Sequence, residues 1–114
     1  MANYSASLDD IFHALADPTR RAVLRRLGNG PGSVTELGES FEMALPSFMK
    51  HISVLEETGL IGTRKVGRVR TCQIRQTNLA AAESWIAEQR VLWERRTNRL
   101  VEYAEGLTAK ENSP

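Results

Sequence analysis

The stretch Leu45-Pro46-Ser47-Phe48-Met49-Lys50-His51-Ile52-Ser53-Val54-Leu55-Glu56-Glu57 decides how this chain is read. On a helical wheel Leu45, Phe48, Ile52 and Leu55 make one apolar stripe, and Pro46, Lys50, Ser53 and Glu57 lie opposite, with Ser47 and Val54 beside them. Pro46 falls in the first turn, where a missing N–H is tolerated. Thr58-Gly59 stops the helix. The runs 60–65 and 69–75 are short and β-prone, and Gly67 joins them into a hairpin. Arg64, Lys65, Arg68, Arg70 and Arg75 surround it. From 58 to 82 there are five positive residues and no Asp or Glu, in a chain whose net charge is only +1. Positive charge concentrated beside a helix able to enter a groove is the electrostatic footprint of phosphate binding.

Working outward, Leu8, Ile11, Phe12 and Leu15 recur at helical spacing and predict a first helix over 8–16. Asp17-Pro18-Thr19 ends it and opens a second over 18–27, with Asp17 as cap and Val23, Leu24 and Leu27 inward. Gly28-Asn29-Gly30-Pro31-Gly32 breaks the chain. Ser33 or Thr35 then caps a short third helix through Leu37 to about Ser40; Ser33 and Glu36 have capping-box spacing. A turn over 41–44 leads into the helix quoted above. After the hairpin, Asn78 is expected to cap a last helix reaching about Gly106. Leu79, Ile86, Trp93, Leu100 and Leu107 are spaced by sevens along it; Ala82, Gln89, Arg96 and Tyr103 share that face, and Trp85 and Leu92 widen it. About 29 residues at ~1.5 Å each span roughly 43 Å, more than the ~35 Å diameter of a compact domain of this size. An overhanging apolar stripe needs a partner, most simply a second copy of itself.

The chain's 114 residues and 41% hydrophobic content suit one domain with one modest core. We expect a single domain over 1–114, with a core over 8–76 and a pairing helix over 78–107. No apolar run approaches the ~20 residues that span a bilayer, and no signal peptide is read at the polar start. Lone Cys72 excludes an internal disulfide and fits a reducing, cytoplasmic setting. Both tails are polar, and 110–114 read as frayed. No Gly-rich phosphate loop, nucleophile elbow or paired-carboxylate site stands out, so no enzyme is expected. One Cys and two His on different elements supply no obvious metal site, and no cofactor is expected.

The fold class is mainly α with a small β-hairpin, in the order α-α-α-α-β-β-α. The third and fourth helices form a helix-turn-helix and the hairpin its wing. These residues resemble ArsR-type winged-helix transcriptional repressors. The resemblance rests on Ile11-Phe12-His13-Ala14-Leu15-Ala16-Asp17-Pro18-Thr19-Arg20-Arg21, on the run Lys50 to Ile61, and on Gly67-Arg68 in the wing. It covers roughly 8–107. It implies a repressor that occupies a promoter and is relieved by an effector or a redox event, neither of which the sequence indicates. The run Trp93-Glu94-Arg95-Arg96-Thr97-Asn98-Arg99-Leu100 looks like a metal-independent branch. Metal-sensing members carry Cys-x-Cys on the third helix, where this chain reads Thr35-Glu36-Leu37-Gly38-Glu39-Ser40; others place Asp and His on the last helix, and from Asn78 onward this chain has no His, Cys or Asp. Met49 stands where many members have Ser.

The expected partners are double-stranded DNA and a second copy of the chain, with no membrane. Lys50 and Ser47 are the candidates for base edges, and Pro46 for a thymine methyl. Met49 and His51 complete the DNA-binding helix. Arg64, Lys65, Arg68 and Arg70 should bind phosphate, with Arg68 reaching the minor groove. Thr35 adds a backbone-phosphate contact. The two copies should meet through Leu8, Phe12, Leu79, Ile86, Trp93, Leu100 and Tyr103. Other readings compete. The hairpin arginines also suit a plain solvated face, and Arg20, Arg21, Arg25 and Arg26 read as surface or salt-bridge residues. His51 fits a packed histidine as well as a DNA contact, and His13 reads as structural or exposed. Cys72 reads as inert, Glu56-Glu57 as helix surface. Trp85 and Trp93 suit an interface core more than an aromatic cage. As a whole, the chain also fits a winged-helix protein-interaction module, or a sensor of a metal or small molecule.

Overall fold

The computed structural model describes residues 6–111, with side chains through 108. Its elements are α1 (Leu8–Leu15), α2 (Pro18–Leu27), β1 (Gly32–Ser33), α3 (Val34–Glu39), α4 (Leu45–Glu57), β2 (Ile61–Val66), β3 (Val69–Ile74) and α5 (Gln76–Glu111). The start of the chain and residues 112–114 of the polar tail lie outside the described residues, and α5 remains helical through Glu111.

Short-range chemistry sets the first three helix starts. Ser7 and Asp10 form a reciprocal capping box on α1. Asp17 accepts the Arg20 N–H at 3.0 Å, and Pro18 follows at the first helical position. Ser33, not Thr35, caps α3, accepting the Glu36 N–H at 3.1 Å. The last helix departs from the expectation. It begins at Gln76, so Asn78 lies inside it, and the Asn78 amide donates instead to the Thr58 carbonyl at 2.7 Å. Asn78 thus closes the C-terminal end of α4. Gly59 takes φ +73° in that turn, and a side chain on it would collide with the Asn78 amide.

The sheet has three antiparallel strands in the order β1-β3-β2. β1 was not anticipated. It is two residues at the end of the Gly/Pro-rich breaker, too short for any alternation to show, and its partners Cys72 and Thr71 lie far along the chain.

The structure divides into two units, one through Ala82 and one from Glu83 onward. The first holds the packed core. Ile11 of α1, Val23 of α2, Leu37 of α3, and Phe48, Ile52 and Leu55 of α4 are buried together with Ile61 and Cys72 of the sheet and Ala82 of α5. The Phe41 and Phe48 rings stack at 5.4 Å across the turn between α3 and α4. Leu45 was expected in the α4 stripe, but it is 56% exposed, because the first turn of α4 lies beyond the core's edge; Leu24 is only half-buried. In the second unit every large apolar side chain is at least partly open, with Trp93 72% and Tyr103 68% exposed. Among the described residues no helix is long and apolar enough to cross a membrane.

Candidate nucleic-acid interface

The inward stripe of α4 fixes what its outer face shows. With Phe48, Ile52 and Leu55 buried, Pro46, Ser47, Lys50 and Ser53 are left exposed. Met49 turns toward the core edge and packs there, so its loss of a Ser hydroxyl is also a gain of apolar contact. Thr35 is exposed in the first turn of α3. His51 is drawn inward. Its Nδ1 lies 3.1 Å from Arg20 Nη1 and 3.7 Å from Asp17 Oδ2. A guanidinium only donates, so in this contact Nδ1 is the acceptor. Of the two readings of His51, packing accounts for this nitrogen.

The wing is a hairpin with a two-residue turn, Gly67-Arg68, and Gly67 supplies the positive φ of +64° that such turns require. Register decides which cations share a face. Lys65 lies opposite Arg70, on the same face as the Thr63–Cys72 and Ile61–Ile74 pairs. Arg64 lies opposite Thr71 on the other face, with Val66 opposite Val69 at the tip. Arg64, Lys65, Arg70 and the turn residue Arg68 are all exposed. Like charges directly across a ladder repel, so the Lys65–Arg70 pair is suited to an anion seated between the two. Arg75 does not join them: a side chain on Gly62 would run into its guanidinium, so Arg75 lies back over the base of β2. The exposed Val66–Val69 pair, 64% and 52% open, is an apolar feature of the tip that the charge pattern had hidden.

One side-chain bond joins wing to helix. The Thr63 hydroxyl donates to the Glu56 carboxylate, joining β2 to the last turn of α4. Glu56 is therefore more than helix surface. The Asn78–Thr58 bond ties the start of α5 to the same end of α4. Cys72, wholly buried in β3, faces the same region. Burial, and then the nearby Glu56 charge, push its thiol above the ordinary range against a smaller opposing effect of Arg70. It remains a thiol, poorly suited to nucleophilic chemistry.

Arg20, expected from the sequence to be a surface cation, is buried instead. It is 8% exposed, and its guanidinium donates to the Ala14 carbonyl at 2.8 Å and the His13 carbonyl at 3.0 Å, besides meeting His51. Arg21, Arg25 and Arg26 are exposed as expected. The Asp17–Pro18–Thr19 turn is the signal that would have found Arg20, since it brings the third residue after Asp17 back beneath the end of α1. Of the residues expected to pair two chains, Leu8 and Phe12 are half-buried; Leu79, Ile86, Trp93, Leu100 and Tyr103 are exposed. Among the described residues no three His, Cys, Asp or Glu side chains gather as a metal would need.

A helix-turn-helix domain family matches residues 15–64, from the end of α1 into β2. The HTH-type transcriptional regulator Rv2034 of Mycobacterium tuberculosis is 40% identical over 75 residues, covering 66% of this chain and 70% of that protein. A crystal structure of an ArsR family transcriptional regulator superposes with a TM-score of 0.75 at 61% identity, over 82% of this chain and 97% of that one. The chain belongs to the ArsR family. An ArsR-like transcriptional regulator from Rhodococcus sp. superposes at TM-score 0.72 with 27% identity, over 85% and 92% of the two chains. The transcriptional repressor SdpR of Bacillus subtilis is 27% identical over 69% of this chain and 88% of its own length. This ArsR-family chain is a DNA-binding transcriptional regulator with a winged helix-turn-helix, and not an enzyme.

Proposed function

We propose that the protein is a dimeric repressor that binds a near-palindromic operator, acts in the cytoplasm and needs no metal. The observation that carries this reading is the pairing of an exposed Pro46-Ser47-Lys50 face on α4 with an exposed, acid-free wing. In it, residues 8–76 form the DNA-binding body and 78–107 the pairing helix. The α4 helix enters the major groove, where Lys50 and Ser47 meet base edges and Pro46 a thymine methyl. Arg64, Lys65 and Arg70 take phosphates, Thr35 adds one from α3, and Arg68 reaches from the tip toward the minor groove. Two copies joined through Leu8, Phe12, Leu79, Ile86, Trp93, Leu100 and Tyr103 present two such helices. Successive major grooves on one side of the duplex lie about 34 Å apart. The donor inventory supports metal independence: α3 carries no Cys, and α5 no His, Cys or Asp.

DNA selected from a random pool tests the reading. A half-site should recur in inverted orientation, and log affinity should fall with log salt by about 0.9 per neutralised phosphate. Lys50→Ala should relax base preference at a cost of about 1–3 kcal/mol, whereas Arg68→Ala should weaken all sequences alike and lower the salt slope by about 1. Trp93→Glu should shift sedimentation toward single chains and cost operator affinity. A pool with no enriched sequence, or a wild type that sediments as a single chain on its operator, removes the proposal.

A further inference from the structure

We infer that Arg20 is the positioning residue of the recognition helix: a buried guanidinium that fixes α4 against the end of α1 through His51. The inference rests on the reading of α4 as the base-reading helix and deepens it. Among the buried residues described, Arg20 is the only one that carries a charge. Three of its nitrogens are spoken for, each by a different acceptor. Nε donates to the Ala14 carbonyl, Nη2 to the His13 carbonyl and Nη1 to His51 Nδ1, at 2.8, 3.0 and 3.1 Å. Its own backbone N–H goes to Asp17, whose carboxylate also lies 3.7 Å from His51.

The two carbonyls belong to the last turn of α1, where a helix runs out of its own donors. The histidine belongs to α4, next in sequence to Lys50 and one turn beyond Ser47. A guanidinium is a rigid planar fork, so acceptors on two elements that share it are held at set distances and angles. Contacts that discriminate among ligands need placement within about 0.5 Å and 10–20°. Desolvating a cation opposes folding, and an apolar side chain of similar volume often serves stability as well or better. What the guanidinium adds is registry. The tilt of α4 relative to α1 is held by directed bonds rather than by packing alone.

The test is a double-mutant cycle on Arg20 and His51. His51→Phe keeps a ring and removes the acceptor; His51→Asn returns an acceptor close to Nδ1. Arg20→Lys keeps the charge but cannot reach three acceptors. Arg20→Lys and His51→Phe should each weaken the selected operator by about 10- to 100-fold, the range for losing a charged hydrogen bond, and leave random-DNA binding and the salt slope unchanged. The double variant should be no weaker than the weaker single, because both break one linkage. His51→Asn should recover most of the affinity. Amide exchange gives an arm that needs no DNA: α4 amides should exchange faster in His51→Phe and regain protection in His51→Asn. Losses that multiply in the double variant, equal losses on random DNA, or unchanged α4 protection in His51→Phe would each overturn the inference. A wild type that selects no operator sinks the DNA reading alone, and the exchange arm still judges the linkage. If Arg20→Lys does not fold, the Phe and Asn variants of His51 decide it.

Discussion

The first unit and the second unit use the same kinds of side chain to opposite ends. Through Ala82, large apolar residues such as Phe48, Ile11 and Ile52 are at most 2% exposed. From Glu83 on, Trp93, Leu100 and Tyr103 stand 64–72% exposed. The first region buries most of its large apolar side chains within one chain and leaves Leu45, Val66, Val69 and Leu79 exposed at its margins. The second leaves large apolar side chains at sevenfold spacing in water, which is the pattern of a surface meant to be covered. Hydrophobic spacing therefore says which side of a helix is apolar, and only packing says whether its own chain covers it.

The sharpest way to break this contrast is to truncate one aromatic in each region. Phe48→Ala should cost the first region about 3–5 kcal/mol, read as a fall in denaturation midpoint. Trp93→Ala should change the stability of a dilute single chain by no more than about 0.5 kcal/mol, with its effect confined to self-association. Comparable destabilisation by the two would erase the distinction. Next in size is the Asp17 cap. Burial pushes its carboxyl up, but the Arg20 backbone N–H, the His51 ring and the Arg20 charge together outweigh that and hold it below its ordinary value. A lowered folded-state pKa stabilises at pH above the unfolded value of about 3.9, and the contribution disappears as pH falls through the lower folded value. Asp17→Ala should cost about 1 kcal/mol near neutral pH, and the gap from wild type should narrow in acid below pH ~4. Asp17→Asn keeps a cap oxygen without a titrating group, so its loss should be smaller and its acid limb flatter. The smallest effect is at the join between α4 and α5. Asn78→Ala should cost about 0.5–1.5 kcal/mol and speed amide exchange in the Gly59 turn, with the wing hairpin intact.

The sequence was most informative where a residue's partner lies within a few positions. Asp17 with Arg20, Ser33 with Glu36, Thr58-Gly59 at a helix end and Gly67 at a hairpin tip act over one turn, and their patterns name helices, stop and wing. The outer face of α4 was legible for the same reason, since 3.6-residue periodicity puts Lys50 opposite Ile52 whatever surrounds them. What stayed hidden was settled between distant segments. Arg20 looks like any helix-surface arginine until His51, 31 positions on, is packed beside it. Asn78 looks like a cap for its own helix, and its acceptor is 20 positions back. β1 exists because Cys72 and Thr71 come to it, and Leu45 keeps the helical period while falling outside the core.

The facing Lys65 and Arg70 have a practical corollary for handling the protein. Two exposed cations set across one rung of the wing repel each other, and a multivalent anion between them would offset that repulsion. On the proposed reading, sulfate or phosphate buffer should steady the wing while occupying the place a nucleotide backbone would take. A preparation that looks best behaved in such buffers is the one whose apparent grip on an oligonucleotide will be most understated.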